Sequence, residues 1–185
     1  SPARPRRSRS AIASTAASAA SAEKVRALGA VLVGVENHHD LYFNSPQRDF
    51  KKTDEALRIR IKEEGPRLTY KGPKLDGETK SRKELTVRID DVLQMRGILE
   101  SLGFVLSAEV KKRRTKYSYG RATFALDEVE GLGSFLEIEA QIDAQGNDGY
   151  AAQKELVQSL LRRLGLGESI RSSYLELLEE RSRSR

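Results

Sequence analysis

The residues with the clearest chemical potential lie in two neighbouring blocks of opposite charge. Residues 110–121 (VKKRRTKYSYGR) carry six basic side chains and no acid, whereas residues 126–143 (LDEVEGLGSFLEIEAQID) carry six acids and no base. Phosphate oxygens bind to Arg and Lys, and hard divalent cations bind to carboxylates. The two blocks therefore indicate a site for a polyanion together with a divalent metal ion.

Basic side chains also recur at alternate positions of several predicted strands. In LRIRIK (57–62) the aliphatic residues fall on one face and the basic residues on the other. Like charges side by side in a sheet repel, so such a face is stabilised by a bound anion or by interleaved carboxylates. A closed barrel would turn this face into a cationic tunnel, and an open sheet would leave it as a solvated face. The basic positions are Arg58, Arg60, Lys71, Lys80, Arg82, Lys112 and Arg114.

The acidic block contains one pair with a spacing suited to a metal ion. Glu137 and Glu139 are two residues apart on a predicted strand, so both point to the face opposite Leu136 and Ile138. Their oxygens could converge on one Mg²⁺ or Mn²⁺, with Asp127 of the neighbouring strand as a third ligand. Two solvated glutamates at the edge of a sheet would have the same spacing.

The elements that must position these residues are mostly strands. Their short connections leave no room for repeated crossover helices, which predicts an antiparallel α+β fold and not an α/β fold. Asp90 or Asp91 can cap a helix that Gly103 ends. The predicted strands are 38–44, 57–62, 67–72, 80–89, 104–118, 121–129 and 134–142, and the predicted helices are 22–30, one from the cap to 102, 150–164 and 169–180.

Composition excludes several classes of protein. The 185 residues suffice for one domain, and no apolar stretch approaches the ~20 residues that span a membrane, so we expect no membrane partner. Without cysteine there are neither disulfides nor thiolate metal sites, which agrees with a cytoplasmic location. No P-loop or nucleophile-elbow motif is present.

The basic excess comes from the two ends of the chain. The formal net charge is +6, but residues 1–22 contribute four Arg and residues 181–185 three, while residues 23–180 hold 26 basic and 27 acidic side chains. This distribution argues against a nucleic-acid partner. Residues 1–22 consist almost entirely of Ala, Ser, Arg and Pro, which predicts disorder or a frayed helix and also resembles a transit peptide. Residues 181–185 read as a basic tail.

Seven motifs in order along the chain resemble the CYTH, or triphosphate tunnel, family between residues 23 and 180. They are closest to its class IV adenylyl cyclase-like members, with thiamine triphosphatase-like proteins as the neighbouring type. The motifs are YF (42–43), DEALRIR (54–60), LTYKGPK (68–74), SRKE (81–84), VKKRR and the following Tyr (110–117), LDEVEGLGSFLEIE (126–139) and SYLELL (173–178).

The resemblance implies an antiparallel eight-stranded β-barrel with flanking helices, which processes triphosphates with Mg²⁺ or Mn²⁺. Carried over to this chain, it implies that Arg58, Arg60, Lys71, Arg82, Lys112 and Arg114 bind the triphosphate. It implies equally that Glu84, Asp127, Glu137 and Glu139 hold the metal. A homodimer is left open.

Two reactions fit this resemblance. Attack by the ribose 3′-hydroxyl of ATP would give cyclic AMP and pyrophosphate, which is the reaction we expect first. Attack by water would make the protein a triphosphatase acting on thiamine triphosphate, inorganic tripolyphosphate or a nucleotide. Both reactions need the same cations around the phosphates. A catalytically silent triphosphate-binding module is the third alternative.

The N-terminal segment departs from the family pattern. The family opens with a strand bearing E-x-E-x-K, whereas no acid precedes Glu23 here. The first strand is therefore expected to be missing or degenerate, and no catalytic lysine can be assigned. An inactive relative is one explanation. Out-of-frame reading of a GC-rich gene, which yields segments rich in Ala, Ser, Arg and Pro, is another.

Overall fold

The computed structural model describes residues 12–74, 82–140, 147–166, 169–170 and 172–183. The chain forms eight strands and four helices, which confirms the α+β class. In chain order they are β1 (Ile12–Ala16), α1 (Ala19–Ala27), β2 (Val31–Asn44), β3 (Ala56–Ile61), β4 (Arg67–Lys74), β5 (Arg82–Arg88), α2 (Val92–Ser101), β6 (Val105–Tyr119), β7 (Ala122–Val129), β8 (Gly133–Ala140), α3 (Asn147–Leu164) and α4 (Tyr174–Arg183).

All eight strands join one antiparallel sheet in the order β1-β8-β7-β6-β2-β3-β4-β5. The predicted eight-stranded antiparallel sheet is therefore confirmed. It curls into a half-barrel whose edges are β1 and β5. The concave face carries the charged residues of the predicted site, and aliphatic residues that alternate with them along the same strands point to the convex face. Strand β3 shows this alternation clearly, because Leu57 and Ile59 are buried in a core cluster while Arg58 and Arg60 line the interior.

The first strand is present although its carboxylates are not. Residues 12–16 were predicted to be disordered or part of a frayed helix, but they pair with β8 from Ile12–Glu139 to Ala16–Phe135. Strand pairing uses backbone groups, so it does not require the family's acidic side chains. Ala13 packs in the core, and Ile12 lines the concave cavity. Ser14 shares the face of Ile12 because side chains alternate along a strand. Of the two alternatives left by the sequence, this first strand is degenerate and not missing.

Three apolar clusters hold the half-barrel in shape. The first lies between the convex side of β1, β7 and β8 and helices α1 and α3, with Phe124, Leu136 and Ile138 inaccessible to solvent. The second lies between β2, β3 and helix α2. The third lies inside one end of the half-barrel, where Tyr174 at the start of α4 packs on Phe135 with ring centroids 5.0 Å apart.

The ends of several elements differ from their predicted positions. Strand β2 begins at Val31 and not at residue 38. The additional N-terminal residues pair with β6 but not with β3. Helix α3 begins at Asn147 and not at residue 150, and α4 begins at Tyr174 and not at residue 169. Gly103 ends α2 as predicted. Its φ of 88° favours glycine, and a Cβ at this position would lie only 3.2 Å from the Cβ of Pro46. No helix in the described part of the chain is long and apolar enough to cross a membrane.

Candidate functional site

The concave face encloses a cavity of about 530 Å³. Its wall is formed by strands of the half-barrel, and the beginning of α4 contributes Ser173, Tyr174 and Leu175. All six predicted triphosphate-binding residues line this cavity, together with two cations that sequence reasoning missed. The eight cations are Arg58, Arg60, Lys71, Lys74, Arg82, Lys112, Arg114 and Lys116.

A buried aspartate on β2 organises the arginines of β3. Asp40 is almost inaccessible to solvent and lies opposite Arg60 across the two strands. The Arg60 guanidinium donates to both carboxylate oxygens at 2.7 Å, and Arg58 lies 3.7 Å from one of them. Burial alone would raise the pKa of Asp40, but Arg60 and Arg58 hold it well below its ordinary value. Asp40 therefore stays ionised and fixes both guanidinium groups.

A second buried aspartate does the same for the basic run of β6. Lys112 Nζ donates to Asp127 Oδ2 at 2.8 Å, and Arg114 donates through Nε and one terminal nitrogen at 2.6 and 2.5 Å. The Tyr174 hydroxyl donates to the same carboxylate at 2.9 Å. Burial would raise the pKa of Asp127, but Arg114 and Lys112 hold it below its ordinary value. This carboxylate is saturated by donors and does not line the cavity.

The cations of β4 and β5 are held by acids at the rim. Lys74 Nζ and Arg82 donate to Asp54 at 2.8 and 2.9 Å, and Lys74 also lies 3.4 Å from Glu176 of α4. Lys71 pairs with Glu84 across β4 and β5 at 2.8 Å. These contacts connect the edge of the sheet and the C-terminal helix to the cavity.

Two lysines have pKa values close to neutral. Burial, followed by the positive charge of Arg114, lowers the pKa of Lys112 to about 7, against the opposing effect of Glu137 and Asp127. Burial, followed by Arg58, lowers the pKa of Lys71 to about 8. Both values show that cations are crowded into a poorly solvated space. An anion placed among them would raise both pKa values again.

The four predicted metal ligands are not brought together. Glu137 and Glu139 share the concave face of β8, as predicted, and both line the cavity with Glu84. However, Glu84 is paired with Lys71, Glu137 is bound by Arg114, and Asp127 is saturated beneath the cavity wall. Among the described residues no three His, Asp or Glu side chains are grouped so that they could hold a metal ion. The donor set therefore does not fit the metal centre that the resemblance implied, and the metal requirement stays a prediction.

Strand β1 explains why carboxylates are scarce at this end of the cavity. Ile12 lies opposite Glu139 and Ser14 opposite Glu137 in the β1–β8 pairing. An acidic strand in this position would place carboxylates beside both glutamates. Here the neighbours are an isoleucine and a serine, and the Ser14 hydroxyl is buried without a hydrogen-bond partner among the described residues. The outer edge of β1 is covered, since the Ile170 amide donates to the Ser14 carbonyl oxygen at 2.5 Å.

Sequence reasoning missed the buried partners that position the cations. Lys116 alternates with the predicted residues Lys112 and Arg114 on β6, so strand parity could have assigned it to the concave face. Strand β2 carried no predicted site residue from which Asp40 could have been assigned in the same way. The pairing of Glu36 with Lys116 and with His38 could not be read from spacing. Nothing local indicated that Tyr174 would reach Asp127.

Comparison with known proteins gives one family. The chain matches the model of the CYTH domain over residues 10–174, a range that includes β1. A Methanocaldococcus jannaschii protein whose name assigns it provisionally as an adenylate cyclase is 40% identical over 157 residues, or 84% of this chain and 89% of that protein. The solved structure of the PH1819 protein of Pyrococcus horikoshii is 42% identical with a TM-score of 0.85, covering 93% of this chain and 99% of that one.

A more distant solved structure shares the fold. It is a Hippeastrum protein named provisionally as an adenylyl cyclase and described as having a dominant triphosphatase activity. Its TM-score is 0.69 at 19% identity, over 94% of this chain and 96% of that chain.

Proposed function

The chain belongs to the CYTH family, and we propose that it binds and processes a small organic or inorganic triphosphate in the cavity of its half-barrel. The observation that carries this proposal is the convergence of eight cations on one cavity of about 530 Å³. Acids of the wall and rim pair with these cations, but eight cations around one space still repel one another, and this repulsion lowers stability. An anion with several negatively charged oxygens removes that cost. No nucleic acid is needed as a partner.

The chain's own groups can assist the reaction in two ways. Arg58, Arg60 and Arg114 present planar guanidinium groups that can bind phosphate oxygens through paired hydrogen bonds. Because Asp40 and Asp127 already hold these side chains, little reorganisation is required when negative charge builds up on the phosphate oxygens. A divalent ion would add further charge neutralisation at the phosphates. Its predicted ligands do not form one site among the described residues.

We propose adenylyl cyclase-like chemistry as the first candidate reaction. The 40% identical relative is named provisionally as an adenylate cyclase, and it covers most of both chains. Triphosphate hydrolysis is the second candidate, which the described activity of the Hippeastrum protein favours. In both, the cavity holds the phosphates, and the attacking group, a ribose hydroxyl or water, decides the product. A silent binding module is the remaining alternative, which the degenerate β1 supports.

Product identification separates these alternatives. Purified protein is incubated with ATP, thiamine triphosphate or tripolyphosphate, with and without Mg²⁺ or Mn²⁺, and the products are separated chromatographically. Cyclic AMP with pyrophosphate identifies the cyclase, and orthophosphate identifies the triphosphatase. Tight binding without turnover identifies the silent module. Absence of both binding and turnover would contradict the proposal.

One pair of variants assigns the activity to the cavity. Arg60→Ala removes a guanidinium that lines the cavity and should weaken triphosphate binding by on the order of 100-fold, as the loss of charge-assisted hydrogen bonds predicts. Arg96→Ala removes an arginine whose ion pair with Glu100 lies on the exposed surface of α2 and serves as the matched control. Equal affinities of both variants would place the binding site elsewhere.

A further inference from the structure

We infer that one end of the cavity binds the organic group of the substrate, and that the substrate is a triphosphate ester whose ring carries an amino group. This inference rests on the proposed function, because it concerns the other part of the same ligand. The end in question lies beside β1 and is called the ring end. The side chains that line the cavity there are Ile12, Val33, Thr123, Ala125 and Glu139.

The cations of the cavity do not extend to the ring end. Arg114 and, one cross-strand row further, Lys116 are the last basic residues of β6 that line the cavity. In the row after Lys116, Thr123 lies opposite Glu139, which in turn lies opposite Ile12. This row contains no basic side chain, so a phosphate group placed in it would meet the Glu139 carboxylate without a compensating charge. The phosphates of a ligand are therefore expected among the cations, and its other part at the ring end.

The ring end offers apolar surface. Ile12 is partly buried and lines the cavity, and Val33 lines it with 64% of its surface exposed. The pairing of β2 with β6 is irregular between Leu32 and Gly34, so Val33 has no partner in β6. Irregularities of this kind re-aim a side chain and are common beside active sites. A ring that covers these apolar side chains removes them from water.

Glu139 supplies a polar contact within this apolar end. It is partly buried and lines the cavity, and no group among the described residues forms a hydrogen bond or an ion pair with it. An ionised carboxylate only accepts hydrogen bonds, so its natural partner is an N–H or O–H group of the ligand. Apolar walls with one placed polar group are typical of sites for organic ligands. The amino group of a heterocycle, which adenine and thiamine both carry, fits this arrangement.

The spacing between the two parts of the cavity suits a triphosphate ester. Arg114 lies in the row of Asp127 and Phe135, and Glu139 follows Phe135 by four residues on β8. At about 3.4 Å per residue, these two rows are about 13 Å apart. The phosphate chain and sugar of an extended nucleotide bridge such a distance. The phosphates can therefore lie beside Arg114 while the ring reaches Glu139.

Calorimetric titration of ATP and tripolyphosphate into the full chain and its Glu139→Ala variant tests this inference, in EDTA and again in Mg²⁺. Tripolyphosphate has a phosphate chain without the ring, so the ratio of the two dissociation constants isolates the contribution of the ring. We expect the substitution to weaken ATP binding by about tenfold relative to tripolyphosphate, as the loss of one hydrogen bond to a charged acceptor predicts.

Two other outcomes have distinct meanings. If Glu139 held a metal ion on the phosphates, the variant would lose affinity for both ligands equally in Mg²⁺, and the unchanged ratio would overturn the inference. If the unsubstituted chain bound neither ligand in either condition, the proposed function itself would be overturned.

Inosine triphosphate tests the amino group, because it carries an oxygen atom where adenine carries that group. The unsubstituted chain should bind it about tenfold more weakly than ATP, and Glu139→Ala should bind the two nucleotides with similar affinity. Equal affinities of the unsubstituted chain for ATP and inosine triphosphate would contradict the inference.

A second pair of variants tests the apolar wall. Ile12→Ala should weaken ATP binding by about fivefold and leave tripolyphosphate binding unchanged, because only the ring covers this side chain. Val87→Ala shortens an exposed aliphatic side chain of β5 that does not line the cavity, and it serves as the matched control. Equal losses of both ligands in Ile12→Ala would show that the ring does not contact β1 and would count against the inference.

Discussion

Strand β6 carries two rows of cations, and the rows differ in nearly everything except residue type. Lys112 and Arg114 face the cavity with 3% and 15% of their side chains exposed, whereas Arg113 between them is 53% exposed on the convex face. The inner row meets Asp127 at 2.5 to 2.8 Å, and the outer arginine lies 3.5 Å from Glu128. A run of basic residues becomes a binding site only where the sheet buries it around a fixed counter-charge.

The same alternation divides the acids of β7. Asp127 and Glu128 are consecutive, so they point to opposite faces of the sheet, and each pairs with the row of β6 on its own face. Buried ion pairs are expensive to break because they leave an uncompensated charge, and exposed pairs contribute little. Four predictions test how far the two rows differ, beginning with the largest effect.

The largest difference is expected in stability. Asp127→Asn should lower the free energy of unfolding by about 3 kcal/mol, because it leaves Lys112 and Arg114 without their common counter-charge. Glu128→Gln on the exposed face should change it by less than about 0.5 kcal/mol. Urea denaturation of both variants measures the contrast. Comparable losses would show that burial does not separate the two rows.

The next difference is in ligand affinity. Arg114→Ala should weaken tripolyphosphate binding by on the order of 100-fold, since it removes a guanidinium aimed into the cavity. Arg113→Ala, one residue away on the other face, should change the affinity by less than about twofold at moderate salt. Calorimetry on the two purified proteins gives both values. A large effect of Arg113→Ala would mean that the convex face binds the anion.

The inner row should also make binding depend on pH. With a pKa of about 7, Lys112 loses its proton in the free protein as the pH rises from 6 to 9, and an anion bound beside it raises that pKa. Binding therefore takes up protons, so the affinity for tripolyphosphate should fall with rising pH, by up to about tenfold per unit above pH 7 for one such group. Lys112→Arg, which stays charged over this range, should flatten the profile. An unchanged profile would exclude Lys112 as the titrating group.

The smallest effect is expected where the inner row approaches solvent. Lys116 lines the cavity, but its side chain is 30% exposed and is bound by Glu36. Lys116→Met should weaken tripolyphosphate binding by only about threefold, because a partly solvated charge interacts less strongly with the anion. Titration beside Arg114→Ala measures this gradient along one strand. A loss as large as that of Arg114→Ala would place the phosphates near Lys116.

Much of the fold follows from local pattern. Strict alternation in β3 and the sorted charges of β6 and β7 predicted the strands and the faces on which Arg58, Arg60, Lys112 and Arg114 lie. All six cations predicted to bind phosphate line one cavity, and their binding of phosphate stays a prediction. Strand β1 was harder to predict, because a composition rich in Ala, Ser and Arg is typical of disordered segments. Its pairing with the backbone of β8 is not visible in that composition.

The site was less predictable than the fold. The resemblance assigned four carboxylates as metal ligands, but most of them pair with cations in the structure. Asp127 lies beneath the cavity wall and binds Lys112. Glu84 pairs with Lys71, and Glu137 pairs with Arg114. A spacing of two residues shows that two side chains share a face of the strand. It does not show whether those side chains pair with a basic residue or bind a metal ion.

The sequence by itself determined strands β2 to β8, their inward-facing charges and the family, because these depend on periodicities of a few residues and on motif order. Only the tertiary structure decided which charges share a cavity and which acids are buried as counter-ions. Tyr174 reaches Asp127 across 47 positions of chain, and Arg60 reaches Asp40 across 20. Such contacts depend on sheet curvature and on the docking of α4, which arise from packing over long separations, and the local pattern of residues does not record them.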